Sequence, residues 1–412
     1  MSSSSSISPE KRLFLKEREL SALLEITQAI NLDSPETSLY KIFQFTLLGQ
    51  LNIRRMVLYV KDEGVWSCVV SFGNGMPNFR RIPLDEKILD HRPLHTVPVA
   101  DLDLGPDWSA LQLLIPVLRH GETLAYVLIG SVHNEYEQDE AAKFLETLSN
   151  ILLGAVENRR LGRQREAAAA MRKEIEIAQE VQTMLFPRSL PNNSSVAVHA
   201  SYVPHTAIGG DYYDLVPIDD DRFLFCVADV SGKGVPASLL MSNFQAGLRT
   251  LLRQQADLAT VVSELNNLIY RNAVSEKFIT AFFGIYHRIT RTLQYVSAGH
   301  NPAILFLDND AHLLLSEGTT MLGIFDELPF LTVHTMQIPP RSLLLTYTDG
   351  LTEVFDPEME EYGEEGVLRF LRRSRYLPLP LLHQELLQEV NAFNPEETHF
   401  ADDITILSCR FK

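Results

Sequence analysis

Hydrophobic periodicity changes along the chain. From Glu19, the stretch LSALLEITQAINL spaces apolar residues three and four apart, which predicts an amphipathic helix. Ser34 and Pro35 have the residue types that begin a second helix. The runs at 56–60 and 66–72 are rich in β-branched and aromatic residues and are typical of strands. The first third of the chain is therefore predicted to be mixed helix and sheet.

Two further apolar runs, LQLLIPVLR and ETLAYVLIG, are joined by His120-Gly121 and predict a β-hairpin. A helix is expected over 137–158. Helices, strands and a hairpin in this order predict an α+β domain over 19–158. A leading segment, 1–18, precedes it, and its Ser-rich start is expected to be disordered.

Residues 159–187 predict a helical linker, because no glycine follows Gly162 until after Pro187, which ends the helix. Two apolar stripes follow coiled-coil spacing. The first stripe is Leu161, Ala168, Met171, Ile175, Ala178, Gln182 and Leu185, and the second is Ile177, Val181 and Met184. We expect one stripe to pair with a second copy, giving a homodimer, and the other to pack on the neighbouring domain. The alternative is a helix packed only within its own chain.

Short β-rich runs dominate 188–412, with helical stretches near 236–254, 257–273 and 378–392. So many adjacent strands predict antiparallel sheets packed face to face, with helices outside. The chain has no GxxxxGK[ST] loop, which argues against a P-loop nucleotide hydrolase.

The net charge of the chain limits the classes of partner that it can bind. A net charge of −17 argues against a general nucleic-acid or anionic-membrane binder and suits a site that collects cations. No apolar run reaches the ~18 residues of a membrane span, and the start does not resemble a signal peptide. The three cysteines, Cys68, Cys226 and Cys409, lack metal-ligand spacing and are expected to be free thiols. We therefore expect a cytoplasmic protein.

Acidic residues recur where apolar strands end. They are Asp211 in IGGDYYDL, Asp229 in ADVSGKG, Asp349 in TYTDGLTE, and Asp402 and Asp403 in ADDITIL. One such aspartate is usually a turn residue. Several close together would repel one another unless a cation lay among them, and Mg²⁺ and Mn²⁺ prefer such oxygens. The pattern indicates a divalent-metal site.

The ordered motifs GGDYYD, ADVSGKG, AGHNP, TDGLTE and ADDITIL resemble the PPM (type 2C) metal-dependent protein serine/threonine phosphatases over 175–412. The closest resemblance is to the bacterial branch that regulates sigma factors and sporulation. It implies an α/β/β/α fold, a β-sandwich flanked by helices. A diguanylate cyclase would need Glu-Phe after the Gly-Gly-Asp, where this chain has Tyr212 and Tyr213.

The resemblance also implies two Mn²⁺ or Mg²⁺ ions. Asp229 would bridge both, and the Val230 carbonyl would join it on one metal. Asp349 and Asp402 would hold the other metal, and Asp211 would support the first, partly through water. Catalysis would then come from a water activated between the ions. Asp214 is a weaker metal candidate, with a solvated turn acid as the alternative.

Some positions of this sequence differ from the residues found in the eukaryotic members of the PPM family. Ser231 occupies the position of a histidine proposed as general acid, and no arginine matches the one that grips phosphate. Lys233 and Ser231 are weak candidates for substrate contact. His300 in AGHNP is expected to have a structural role. The acidic run at 358–366 is expected to be a solvated loop.

The front domain, 19–158, resembles a GAF-type sensory domain, with a PAS-type domain as the alternative. The family resemblance implies as substrate a phosphoserine or phosphothreonine on an anti-sigma-factor antagonist of the STAS type, with control by the sensory domain through the linker. The competing hypotheses are a catalytically weak or inactive scaffold that binds a signalling partner, and a broad small-molecule phosphatase.

Overall fold

The computed structural model describes residues 9–32, 34–62, 64–119, 121–130, 138–254, 257–272, 277–308, 311–394 and 400–412. The chain divides into two compact units, Met1–Ala168 and Ala169–Lys412. Within the described ranges, no helix is long and apolar enough to cross a bilayer. The first helix begins at Pro9, ten residues before the predicted start. The serine run expected to be disordered lies largely outside the described residues.

The first unit contains a five-stranded antiparallel sheet of order β2-β1-β5-β4-β3. Its strands are β1 Met56–Asp62, β2 Val65–Phe72, β3 Val97–Pro98, β4 Leu113–Arg119 and β5 Glu122–Ile129. Its helices are α1 Pro9–Asn31, α2 Glu36–Gln50, α3 Glu86–His91 and the first part of α4 Gln138–Thr183. The β4–β5 pairing confirms the predicted hairpin, although His120 lies outside the described residues.

Both faces of this sheet are filled. On one face, Ile115 packs with Phe43 of α2 and Leu148 of α4. On the other face, Tyr59 lies beside Trp108 in a second cluster of buried side chains.

Cys68, Cys226 and Cys409 are free thiols, as predicted. The assignment of this unit as a GAF-type domain stays a prediction.

Helix α4 is a single helix of 46 residues, so the stretches predicted to be helical over 137–158 and 159–186 belong to one helix, and the predicted boundary between them is wrong. No proline or other strong breaker lies at the expected junction, and the helix continues through it. It ends at Thr183, before the predicted end. Within the second unit, Gln182 is buried and Leu185 packs against the core, whereas Ile177, Val181 and Met184 are exposed.

The second unit contains two sheets, of order β13-β10-β9-β8-β7, with β14 pairing with β10, and β12-β11-β15-β16-β6. The strands are β6 Val196–Val203, β7 Tyr212–Pro217, β8 Arg222–Val230, β9 Ile279–His287, β10 Thr292–Ala298, β11 Ala303–Phe306, β12 His312–Leu315, β13 Gly318–Thr319, β14 His334–Gln337, β15 Leu343–Tyr347 and β16 Ile404–Phe411. The helices are α5 Val235–Arg253, α6 Leu258–Asn272, α7 Gly363–Ser374 and α8 Leu379–Phe393.

The two sheets pack face to face. Phe225 of β8 and Leu407 of β16 belong to the core between them. Helices α5 and α6 cover the outer face of the first sheet, and α7 and α8 cover that of the second. This is the helix–sheet–sheet–helix layering predicted from the strand runs.

Helix α7 was not predicted, because its start lies in the acidic run 358–366 that was expected to be a solvated loop. Val367 and Phe370 give it a buried face, and Glu364 and Glu365 lie in its first turn, where negative charge is favourable. Only the part before Gly363 is a turn, in which Asp356 accepts hydrogen bonds from the backbone of Glu358 and Glu360.

Candidate metal site

Strand alternation directs three polar side chains to one edge of the sandwich interior. Successive side chains of a strand point to opposite faces. Asp229 therefore shares the inner face of β8 with Phe225 and Val227, which belong to the core between the sheets. By the same count, Asp211, which directly precedes β7, and Thr405 of β16 face inward. The site lies where the two sheets meet at their ends.

The two glycines before Asp211 let three backbone segments approach closely. Gly210 N–H donates to Asp403 Oδ2 at 2.7 Å, and His205 N–H donates to Asp403 Oδ1 at 2.8 Å. A Cβ on Gly209 would lie 2.2 Å from Asp403 Oδ2, and one on Gly210 would lie 2.8 Å from the Val230 carbonyl oxygen. The Asp403 carboxylate thus holds the turn from inside.

Asp211 is buried and oriented by two threonines. Its Oδ2 accepts hydrogen bonds from Thr348 Oγ1 and from Thr405 Oγ1, both at 2.7 Å. Thr405 N–H donates in turn to Thr348 Oγ1 at 2.8 Å. Burial, followed by the nearby charge of Asp229, raises the pKa of Asp211 well above its usual value.

Asp229, Asp349 and Asp402 affect one another electrostatically. The pKa of Asp229 is raised to about 7. Burial is the largest cause, and the charges of Asp349 and Asp402 follow. The pKa of Asp349 is also raised, by burial and then by Asp402. Three strand ends that are far apart in sequence therefore place acids at one cleft. Such mutual repulsion is what a bound cation relieves.

The donor chemistry fits a hard divalent cation, since all these groups are carboxylates and a carbonyl oxygen, Val230 O, lies beside them. Within the described part of the chain, however, no three His, Cys, Asp or Glu side chains are arranged to hold an ion by themselves. A metal here would need water or carbonyl ligands to complete its coordination, as Mg²⁺ commonly does.

Lys233 lies at this cleft and Ser231 helps to support it. Lys233 Nζ is 3.0 Å from Asp402 Oδ2 and donates to the Ala401 carbonyl at 2.7 Å. Ser231 Oγ accepts a hydrogen bond from Phe278 N–H at 2.9 Å, so its oxygen is engaged with a neighbouring loop. Lys277 Nζ donates to the Ser231 carbonyl at 3.0 Å. Ser231 therefore holds the turn after Asp229 in place.

Sequence reasoning missed several supporting residues. Thr348 directly precedes Asp349 in TDG, and Thr405 follows Asp402 by three residues in ADDIT; this closeness to candidate ligands was the available signal. Glu353 was also missed. Its pKa is raised by burial, then by Asp349, Glu361 and Asp402, so it borders the same acidic cleft.

Asp214 lies on the opposite face of β7 and does not join this cluster. It is fully buried, so the solvated-turn alternative is wrong. Its carboxylate accepts hydrogen bonds from Arg249 Nε at 2.8 Å and Nη2 at 2.9 Å, and from the Tyr212 hydroxyl. The reason is strand alternation: a residue three after Asp211 points to the other face, toward α5. His300 Nδ1 is 2.9 Å from Thr280 Oγ1, a contact of the structural kind expected.

Comparison with known proteins gives a family match and a fold match for the second unit. Residues 219–412 match the stage II sporulation protein E (SpoIIE) family. This SpoIIE-family segment contains Asp229, Asp349 and Asp402, whereas Asp211 and its two glycines precede it. The SiaA-PP2C domain of Pseudomonas aeruginosa superimposes with a TM-score of 0.53 at 21% identity, covering 60% of this chain and 99% of that domain. The second unit thus has the fold of a PP2C-type phosphatase domain.

Two curated relatives extend the SpoIIE similarity. Phosphoserine phosphatase RsbU of Bacillus subtilis is 30% identical over 185 residues, which are 44% of this chain and 54% of RsbU. Protein IcfG of Synechocystis sp. is 26% identical over 268 residues, 58% of this chain and 41% of IcfG. The chain spans about half the length of the curated relatives it matches.

Proposed function

We propose that this chain is a metal-dependent protein serine/threonine phosphatase. The observation that carries the proposal is the acidic cleft inside a PP2C-type fold, where burial and then the charges of Asp349 and Asp402 raise the pKa of Asp229. The SpoIIE-family match over the segment that supplies these three residues supports it.

Two Mn²⁺ or Mg²⁺ ions would be held. The Asp229 carboxylate and the Val230 carbonyl would hold the first ion, and Asp229, Asp349 and Asp402 would hold the second. Asp211 would act on the first ion through water, because Thr348 and Thr405 already occupy its Oδ2. Bound divalent ions supply Lewis-acid polarisation of phosphate and a water made nucleophilic at neutral pH. The side chains' own contribution is to fix the positions of these oxygens.

Lys233 supplies a cation at the cleft. Its ammonium group is shared between Asp402 and a backbone carbonyl, from which it can turn toward a phosphate oxygen, since lysine binds phosphate as a flexible point charge. Ser231 is bound to Phe278 and is not positioned as a general acid. Protonation of the leaving serine or threonine oxygen is therefore assigned to water.

The proposed substrate is a phosphoserine or phosphothreonine of a regulatory protein, of the anti-sigma-factor antagonist type. Support comes from the similarity to phosphoserine phosphatase RsbU. A phosphoprotein of this class should be hydrolysed with a higher kcat/KM than p-nitrophenyl phosphate. Equal values for both would indicate a broad small-molecule phosphatase instead.

We also propose that the first unit, as a GAF-type sensor, controls the site through α4. Gln182, near the end of this helix, is hydrogen-bonded to Gly209 in the turn that supports Asp211. The exposed stripe of Ile177, Val181 and Met184 is assigned to pairing with a second copy. Val181→Glu should then shift the chain from dimer to monomer in analytical ultracentrifugation, whereas Glu180→Gln should not.

A partner-binding scaffold is the alternative function, favoured by the engagement of Ser231 and by the Lys233–Asp402 ion pair. The test is phosphate release from a phosphoserine protein after chelation and after re-addition of Mn²⁺. Activity that disappears with EDTA and returns with Mn²⁺ supports the phosphatase. No release at any metal concentration, together with no Mn²⁺ binding by calorimetry, would leave the scaffold.

A further inference from the structure

A groove of about 500 Å³ lies at the end of the second sheet opposite to the acidic cleft. Strands β15 and β16 are antiparallel, and Tyr347 pairs with Ile406 near Asp349 and Asp402, whereas Leu343 pairs with Arg410 at the other end. The four residue steps from Leu343 to Tyr347 separate the two ends by about 13 Å. The groove is therefore distinct from the proposed catalytic site.

Three arginines line this groove: Arg341, Arg375 and Arg410. Among the described residues, Asp308 is the acid in its lining, and it lies 3.7 Å from Arg341. This positive surface contrasts with the net charge of −17 of the whole chain. The Lys412 ammonium group is turned away, toward Asn193. The local charge selects for an anion.

Arg410 is the most informative of the three. It is half-buried, burial lowers its pKa, and in the described part of the chain no carboxylate forms an ion pair with it. Its Nη2 donates to the Arg375 carbonyl at 2.6 Å, which fixes the guanidinium group and leaves other N–H groups to bind a ligand. A charge removed from water without a counter-ion is unfavourable, and a bound anion offsets this cost.

An aromatic platform adjoins the arginines. The guanidinium group of Arg375 lies 4.4 Å from the ring centroid of Tyr376 and donates to its hydroxyl at 2.9 Å. This holds Tyr376, although the residue is 67% exposed. Arg341 adopts a positive φ of 61°, which non-glycine residues rarely do, at the rim of the groove. Guanidinium groups beside an exposed ring fit a phosphate that carries an aromatic group.

We propose that this groove binds an organic phosphate of nucleotide size, with its phosphates on Arg341 and Arg410 and its ring on Tyr376. The volume lies within the range of roughly 300–1,000 Å³ that is usual for small-molecule sites. Arginine pairs with phosphate through two parallel N–H···O bonds, and a tyrosine ring stacks on a base. The proposal does not depend on phosphatase activity.

The test is isothermal titration calorimetry of the full chain with ATP and with tripolyphosphate, in EDTA so that no divalent metal brings phosphate to the acidic cleft. One ATP should bind per chain, and Arg341→Gln and Arg410→Gln should each weaken it about tenfold. Tyr376→Ala should weaken ATP binding and leave tripolyphosphate unchanged. Arg253→Gln, an exposed arginine at the end of α5, is the matched control.

Arg341 is exposed at the rim, so its variant keeps the test valid if Arg410→Gln does not fold. Absence of heat with millimolar ATP, or an affinity equal to wild type in both arginine variants, would overturn the proposal. Arginine-dependent binding of an oligoglutamate peptide without binding of ATP would also overturn it, and would assign the groove to an acidic protein segment.

Discussion

Gln182 makes two hydrogen bonds to one residue, Gly209: its Nε2 donates to the Gly209 carbonyl at 2.8 Å, and its Oε1 accepts from the Gly209 N–H at 3.4 Å. Both groups are buried. The end of α4 is therefore fastened to the turn that leads into Asp211. Movement of this helix end would move the turn, which is the physical basis of the proposed regulation.

Gln182→Ala should lower Mn²⁺-dependent phosphatase activity about tenfold, as loss of outer-shell support commonly does. It should also cost about 1–3 kcal/mol of unfolding free energy, because two backbone groups lose their partner. Gln179→Ala, an exposed glutamine on the same helix, is the matched control. Equal activity in the two variants would separate the helix end from the metal site.

Gly210→Ala should weaken Mn²⁺ binding by about tenfold or more. A methyl group there would lie 2.8 Å from the Val230 carbonyl oxygen, which must then move away from its proposed metal position. The control is Gly162→Ala in α4, where no heavy atom lies within 4 Å of the added carbon. Calorimetric titration with Mn²⁺ measures the effect, and unchanged affinity would remove Val230 from the ligand set.

Asp214→Asn should lower the free energy of unfolding by about 2 kcal/mol or more. The full range for fully buried pairs is not expected, since Arg249 is 37% exposed on its side chain and water screens its charge. Asp219→Asn, in the exposed pair with Arg222, should give no resolvable change. Urea unfolding compares the two, and equal losses would contradict the role given to the buried pair.

The stability contributed by His383 should depend on pH. Burial, and then His199, lower the pKa of His383 to about 3, and its ring nitrogens contact Ser201 and Ser408. The unfolded chain therefore binds the extra proton first, so this contribution is complete above the usual histidine pKa and is lost as pH falls toward 3.

The advantage in unfolding free energy of wild type over His383→Gln should fall by up to about 1.4 kcal/mol per pH unit below pH ~6.5. Urea unfolding between pH 7 and pH 5 measures it. Groups such as Asp229 titrate in both proteins, so their contributions cancel in the difference in unfolding free energy between wild type and His383→Gln. A difference that stays constant with pH would show that His383 does not change its protonation on unfolding.

Much of the second unit could be predicted from sequence because its strands carry strong apolar runs, and acids at their ends mark the loops. The sandwich and the meeting of Asp229, Asp349 and Asp402 follow from that pattern. Helix α7 could not be predicted, because the five glutamates and two glycines of the run 358–366 hide its short apolar face. Asp214 was misjudged because a single acid in a turn-like string does not reveal Arg249, which lies 35 positions later.

For the helical linker, prediction from sequence was limited in a different way. Its two stripes were visible in the sequence, but which stripe packs inward depends on how the helix meets the second unit, a tertiary property. The structure buries Gln182 and leaves Val181 exposed. The requirement for glycine at the two positions before Asp211 is a further case. It comes from the close approach of Asp403 and Val230, which the sequence does not show.

The most direct test of the central claim compares Mn²⁺-dependent phosphate release from a phosphoserine protein by wild type, Asp229→Asn and Asp220→Asn. Asp220 is an exposed acid outside the cleft and serves as the control. We expect a loss of about 100-fold or more for Asp229→Asn, with weakened Mn²⁺ binding, and no loss for Asp220→Asn. Release that is equal in all three proteins, or independent of Mn²⁺, would contradict a metal-dependent phosphatase centred on Asp229.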